Sequence, residues 1–258
     1  MHFPKVSIIT VVFNNVKDIQ VAIESVLSQE YPNIEYIVID GKSTDGTMSI
    51  VNSYESIDFI VSEPDDGLYD AMNKGIELST GDIVGILNSD DSYLDKSVIS
   101  DLVNLMVSSD SDLVFSDLLI VKKGTRKISR YYMAHYFRPW MIKIGYIPPH
   151  PTTLLKKDLY DNFGNFSLSY KIVSDFDLFV RLFNSKNVKW KYLDRITVIM
   201  QDGGISNSGF IGKIAIAFEI NRSLKNNQVR TLFIFQLFRY FIRLIEYIVK
   251  PKNRDRYE

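Results

Sequence analysis

Residues Ile83 to Ser92 read IVGILNSDDS. Five residues dominated by apolar side chains, Ile83 to Leu87, run straight into a polar turn that carries Asn88 and two adjacent carboxylates, Asp90 and Asp91. That is the pattern of a buried strand ending in acid. Adjacent carboxylates on a tight turn repel one another and cost stability, so a proton or a cation is needed to offset them. Two readings fit the stretch alone. Either Asp or Ser caps a helix over Lys96 to Met106, or the acid pair holds Mg²⁺ or Mn²⁺ together with a substrate phosphate.

The residues before this stretch decide between them. KVSIITVVFNN is a first buried strand, and VKDIQVAIESVLSQ follows with Ile19, Ala22, Ile23, Val26 and Leu27 at helical spacing. IEYIVID is a second strand ending at Asp40, followed by the two-glycine turn GKSTDGT and a helix from about Met48 to Tyr54. DFIVSE is a short third strand, Leu68 to Ser79 has helical spacing, and GDIVGIL is the fourth strand. Strands alternating with helices predict an α/β fold with a mostly parallel sheet covered on both faces. Such sheets bind ligands beyond the carboxyl ends of their strands. Phe13 and Asn14, Asp40, Glu63, and Asn88 to Asp91 all fall at those ends, so four strands deliver polar groups to one edge. Capping alone would not gather them.

The turn after the first strand, VVFNNVKD, contains no glycine, which argues against a dinucleotide-type pyrophosphate loop. It offers instead the Phe13 ring and the Asn14 amide, which can hold a base by packing and hydrogen bonding.

The chain of 258 residues is long enough for one large domain with an appendage. Its 30 basic and 31 acidic residues leave a net charge of −1, so nothing in the whole chain calls for nucleic acid as a partner. The charge is uneven. From Arg222 onward nine Lys/Arg stand against three Asp/Glu, a net of +6, so the preceding residues carry −7. With no cysteine there are no disulfides and no thiolate metal sites, in keeping with a reducing, cytoplasmic setting. The early apolar run from Val6 to Phe13 is too short to span a membrane and reads as a strand.

PKVSIITVVFNN, ESVLSQEYPNIEYIVIDGKSTDGT, EPDDGLYDAMNKGI, STGDIVGILNSDD and the later SDFDLFVRL, in that order, resemble glycosyltransferase family 2, inverting enzymes of the GT-A (Rossmann-like) fold, here of the bacterial surface-polysaccharide type. The resemblance covers roughly residues 4 to 205. It implies a nucleotide-diphosphate sugar donor, a UDP-sugar first among them, a divalent cation, and single displacement at the anomeric carbon by a hexosyl- or N-acetylhexosaminyltransferase. By the same resemblance Asp90 and Asp91 are metal contacts, Asp90 also touches the donor with Asn88, and Thr10, Phe13, Asn14 and Asp40 fall where the nucleotide is held. Three positions depart from the family pattern. Gly41 stands where many members carry a second acid that reads uracil, Asn88 stands for the first Asp of the metal motif, and Ser174 stands for a Glu. These departures keep open a catalytically inactive nucleotide-sugar or glycan-binding protein of the same fold, and a nucleotidyltransferase would share the metal chemistry.

Further along, Asn73 and Lys74 fall in the first turns of a helix, where an amide and an ammonium suit sugar hydroxyls or phosphate. From Leu113 the pattern changes: LVFSDLLIV is a fifth strand and KKGTRKISRYY a hairpin. The aromatic, proline-rich FRPWMIKIGYIPPHPTTLL suits an acceptor wall, with Trp140 and His150 as its candidate contacts. In YKIVSDFDLFVRLF, Asp175 begins a helix whose dipole favours its ionised form, and by the resemblance it is the catalytic base. Asp177 and Arg181 are expected to pair within that helix. WKYLDRITVIMQDGGISNS reads as strands followed by a turn at Gly203 and Gly204.

The expected organisation is a catalytic domain over 1–205, with a nucleotide-sugar part (1–112) and an acceptor part (113–205), then a basic, helical tail over 206–258. Between Val229 and Lys250 the polar residues Gln236, Arg239, Arg243, Glu246 and Lys250 recur at spacings of three and four in an otherwise apolar stretch. That is one amphipathic helix, expected to lie on a membrane surface or to dock on the catalytic domain or a second subunit, which would make a homo-oligomer. The expected setting is cytoplasmic and peripheral on the inner face of the membrane, with a glycan or lipid-linked glycan as acceptor.

Overall fold

The computed structural model describes residues 3–125, 127–203, 210–232, 234–235 and 238–251. Its centre is one mixed sheet in the order β3-β2-β1-β4-β8-β6-β9-β5, with β7 paired to β6. The first half is parallel: β1 (Val6–Val12), β2 (Ile34–Asp40), β3 (Phe59–Ser62) and β4 (Ile83–Ile86). Their register aligns Val12 with Asp40 and Asp40 with Ser62, so the carboxyl ends are level. β1 and β4 are buried throughout, which is why they read as continuous apolar runs and not as alternation.

The second half mixes directions. β8 (Leu154–Lys156) runs antiparallel to both β4 and β6 (Leu113–Val121) and stitches the halves together. β6 and β9 (Trp190–Gln201) are parallel, with a register shift around Ser116 and Asp117. β7 (Ile128–Tyr132) closes the expected hairpin with β6. β5 (Asp91–Tyr93) pairs antiparallel with β9. The molecule is therefore an α/β fold, curled and flanked by helices α1 (Ile19–Leu27), α2 (Thr47–Val51), α3 (Leu68–Leu78), α4 (Val98–Ser108), α5 (Asp158–Phe163) and α6 (Ser174–Asn184).

Two expectations about the C-terminal part are corrected. The boundary at 205 does not separate a tail, because α7 (Phe210–Asn226) buries Ile216, Ile220 and Leu224 in the same core as α6 and β6. Nor is there one helix over 229–250: among the described residues only α8 (Phe238–Ile248) forms there, preceded by irregular chain from Val229. Gly203 adopts a left-handed φ of 122° that favours glycine, while Gly204 and Gln236 lie outside the described residues.

Candidate active site

The turn after β4 is not a helix cap. Asp91 opens β5 and pairs with Met200, whereas the start of α4 is served by Asp95, whose Oδ1 accepts the Ser97 N–H at 3.1 Å and whose Oδ2 pairs with Arg195. Asp91 is 2% exposed. Burial, and then the charge of Asp90, push its carboxyl well above the usual carboxylate range, against a weak hydrogen bond from Asn88 Nδ2 at 3.4 Å. Asp91 Oδ1 and Asn88 Oδ1 are both buried without a hydrogen-bond partner. Asp90 is also pushed up, chiefly by burial and further by Asp18, while Lys123 opposes the shift.

Asp18 gave no signal in the sequence beyond its position ahead of α1. Its Oδ1 accepts a hydrogen bond from Gln201 Nε2 at 3.0 Å and its Oδ2 lies 3.6 Å from Lys123 Nζ. Two acids with raised affinity for positive charge and two orphaned oxygens fit a divalent ion. The fit is partial: no group of three or more His, Cys, Asp or Glu is placed as ligands among the described residues. Oxygens of a bound diphosphate would have to complete the set.

Beside this turn the loops after β1 and β2 are locked together. Asn14, with φ of 49°, donates its N–H to Ser43 Oγ at 2.7 Å and accepts the Thr44 N–H on Oδ1 at 2.8 Å. Asn15 Nδ2 donates to Ser89 Oγ at 3.1 Å, tying the first loop to the acidic turn. Asp40 is fully buried and accepts the Ser43 N–H and the Ser62 hydroxyl, so it braces two loops. Phe13 is 65% exposed, a large aromatic ring left open at this edge. It lies against Gly41, where a Cβ would come 3.3 Å from its Cδ2 and 2.9 Å from Asp65 Oδ2. A carboxylate from the loop after β3 thus occupies the space beside Gly41, a through-space relation that no sequence spacing reveals.

Four other expected contacts are placed differently. Thr10 is fully buried within β1 and accepts the Tyr36 hydroxyl at 3.1 Å, so it does not reach the edge. Asn73 is a staple: its Nδ2 donates to Phe166 O and its Oδ1 accepts the Phe166 N–H, both at 2.9 Å. Lys74 Nζ is engaged by Asp65 at 2.7 Å, Glu63 at 2.9 Å, Pro64 O at 2.9 Å and Asp70 at 3.4 Å. Those hydrogen bonds, Asp65 first, raise its affinity for the proton, and they make it a clamp on the Asp65 loop and not a free cation. His150 is buried against the Phe166 and Phe179 rings, and burial pulls its pKa down to about 4, so it is a neutral core residue. Trp140, by contrast, is exposed.

Asp175 lies in the first turn of α6, where its Oδ1 accepts the Phe176 N–H at 2.7 Å and the Tyr69 hydroxyl at 3.3 Å. Tyr69 belongs to the first turn of α3, directly after the Asp65 loop, so the contact brings Asp175 to the same edge of the sheet. Burial pushes the Asp175 carboxyl up to about 6, more than these hydrogen bonds lower it. The helix dipole alone would keep it ionised at lower pH; desolvation wins. Asp177 pairs with Arg181 at 3.0 Å as expected, and also accepts Ser223 Oγ and Asn227 Nδ2. Glu219 of α7 accepts the N–H groups of Lys171, Ile172 and Val173, with distances of 3.0, 3.0 and 3.3 Å. Sequence reasoning missed it because it sits outside the motifs, in a helix of weak amphipathic signal.

Residues 7–176 match the family model described as Glycosyl transferase family 2. The chain belongs to this family. A PGL/p-HBAD biosynthesis glycosyltransferase of Mycobacterium tuberculosis is 26% identical over 215 residues, covering 81% of each chain. Among solved structures, TarS 1-349 of S. aureus in complex with UDP-GlcNAc superposes with a TM-score of 0.64 at 20% identity, covering 86% of this chain and 67% of that one. The mannosyltransferase PcManGT of Pyrobaculum calidifontis, in complex with GDP-Man and Mn²⁺, gives 0.63 at 17% identity over 90% of this chain and 66% of that one. At such identities the two structures establish the shared GT-A fold, and the family assignment makes this protein a glycosyltransferase.

Proposed function

We propose that this family 2 member is an inverting transferase that moves a hexosyl or N-acetylhexosaminyl group from a nucleoside-diphosphate sugar, first among them a UDP-sugar, to a glycan acceptor. The acceptor is proposed to be lipid-linked, on the cytoplasmic face of a bacterial membrane, in the assembly of a surface glycan. One observation carries the reading: the buried, unpaired oxygens of Asp91 and Asn88 after β4, at the same sheet edge as the exposed Phe13 ring.

The nucleoside base packs on Phe13 with Asp65 at its edge, and the diphosphate lies toward Asn88, Asp90 and Asp91. A bound Mn²⁺ or Mg²⁺ would offset the carboxylate and phosphate charge together. Asp175 takes the proton of the acceptor hydroxyl as that oxygen bonds to the anomeric carbon. The bond from that carbon to the diphosphate breaks, its electron pair leaves with the nucleoside diphosphate, and attack from the opposite face inverts the centre. Carboxyl burial keeps the pKa of Asp175 near enough to neutrality for a base that must both take and hold a proton.

Supplying purified protein with Mn²⁺, a panel of nucleotide sugars and glycan acceptors tests this. Nucleoside diphosphate released only when acceptor is present is the expected result. Pyrophosphate release would make the protein a nucleotidyltransferase, and donor binding without turnover would make it a binding protein.

A further inference from the structure

Helix α8 is seated opposite to a helix in water. Arg239 and Glu246 are 2% and 1% exposed, while Phe238, Phe241, Leu244, Ile245 and Ile248 are 48 to 78% exposed. The charged stripe turns inward onto β7, where Arg130 Nε lies 3.5 Å from Glu246 Oε2 and its guanidinium sits over the Tyr132 and Tyr247 rings. The chain entering α8 adds exposed Leu232, Ile234 and Phe235. An apolar patch this continuous is not sustained by water. The polar face is already spent on the protein's own interior, so the apolar face is the one left for a partner.

The length of α8 excludes spanning. Eleven residues extend about 16 Å at 1.5 Å per residue, against a hydrocarbon core of about 30 Å, and no described helix is long and apolar enough to cross a membrane. Charge selects among the remaining occupants. The chain from Arg222 onward carries nine Lys/Arg against three Asp/Glu; of these Arg239 is turned inward, while Arg222, Lys225 and Arg230 are exposed. A second copy would bring the same positive charge against it, whereas an anionic bilayer supplies the opposite sign.

We infer that this face docks in the plane of an anionic lipid surface, with the Phe241, Leu244 and Ile248 side chains in the acyl boundary and the basic residues among the headgroups. The orientation also places the acceptor wall. Thr231 Oγ1 donates to Lys143 O at 2.8 Å, and Arg239 packs beside Gly145, so the docking face adjoins the Pro139–Ile144 turn that exposes Trp140. A lipid-linked acceptor would then meet Trp140 at the membrane boundary. This extends the acceptor reading above, but its basis is the surface alone.

Flotation of the full chain with vesicles of equimolar phosphatidylglycerol and phosphatidylcholine, and with phosphatidylcholine alone, tests it without turnover. Failure of the transferase reading would therefore leave the result standing, and the reverse. The expected result is flotation on anionic vesicles, weakened by salt, with partitioning reduced at least about tenfold in a Phe241→Ser, Leu244→Ser, Ile248→Ser variant whose far-ultraviolet dichroism and donor binding are unchanged. These side chains are exposed, so the variant is expected to fold. Wild-type protein that stays soluble on anionic vesicles overturns the proposal. If it then sediments as a dimer that the variant dissociates, the face is an interface between copies. Equal, salt-insensitive binding to neutral vesicles would overturn the headgroup part.

Discussion

Asp65 Oδ2 stands 2.9 Å from the point where a Cβ on Gly41 would lie, and Lys74 holds the other oxygen of that carboxylate at 2.7 Å. Chain positions 24 apart thus put an acid beside Phe13, at the place where family members with an acid directly after the β2 aspartate carry it in sequence. A carboxylate there accepts from a ring N–H, which uracil presents and cytosine does not. Asp65→Ala is therefore expected to weaken UDP binding about tenfold or more, the worth of a charge-assisted hydrogen bond, with little effect on CDP. Lys74→Met should produce a smaller loss of the same sign by releasing the clamp. Calorimetric titration with the two nucleotides reads both; equal losses for UDP and CDP would remove Asp65 from base selection.

The acidic turn makes a second prediction, about stability. Asp91 has a folded-state pKa above its unfolded value, so the folded protein binds the extra proton and its stability falls as pH rises past the ordinary carboxylate range. Asp91→Asn should accordingly raise the melting temperature at neutral pH in EDTA and have little effect near pH 4. Adding Mn²⁺ should raise the wild-type melting temperature and leave the variant's unchanged. Thermal melts across pH with and without metal check this, and full transferase activity in EDTA would dismiss the metal role altogether.

For Asp175 the shift to about 6 places the ascending limb of the rate profile there, since only the ionised form accepts a proton. The Tyr69 hydroxyl donates chiefly to Ile172 O at 2.7 Å and more weakly to Asp175 Oδ1 at 3.3 Å, so Tyr69→Phe should move the limb only slightly to higher pH. Asp175→Asn should lower kcat by about 10²- to 10⁴-fold with donor affinity nearly intact. A variant that loses donor affinity at unchanged kcat would make Asp175 a binding residue.

What the sequence made legible follows from how each element is stabilised. β1, β2 and β4 are apolar, β-branched runs buried on both faces, and their alternation with helices defines the sheet edge in the sequence itself. β5 was invisible because Asp-Ser-Tyr has no strand pattern; pairing with Val198 to Met200 creates it. Thr10, Asn73 and His150 show the limit for polar residues. A hydroxyl, an amide and an imidazole are the same letters whether they meet a ligand or another part of the protein, and here Tyr36, Phe166 and an aromatic cage take them. The position of Asp65 beside Gly41 and the grip of Glu219 on residues 171–173 depend on tertiary packing, which periodicity does not encode.

That grip supports the last prediction, on where the catalytic unit ends. α7 contributes Ile216, Ile220 and Leu224 to the core, and its Glu219 accepts three successive N–H groups just before Asp175. Its Ser223 further bonds Asp177 on the same helix as Asp175, the proposed base. Ending the chain after residue 205 should therefore uncover apolar surface on α6 and give aggregated protein, whereas ending it after 232 should keep α7 and leave a folded, donor-binding one. Within the full chain, Glu219→Ala leaves amide donors without their acceptor and should cost about 2 kcal/mol of stability. Because those amides belong to the turn that aims Asp175, kcat should fall while the donor KM holds, and Glu219→Gln, whose one oxygen can still accept the Ile172 and Val173 N–H groups while its NH2 faces the Lys171 N–H, should restore part of both. Chemical denaturation paired with steady-state kinetics measures the two effects together. A Glu219→Ala protein that is destabilised yet turns over normally would confine α7 to holding the fold.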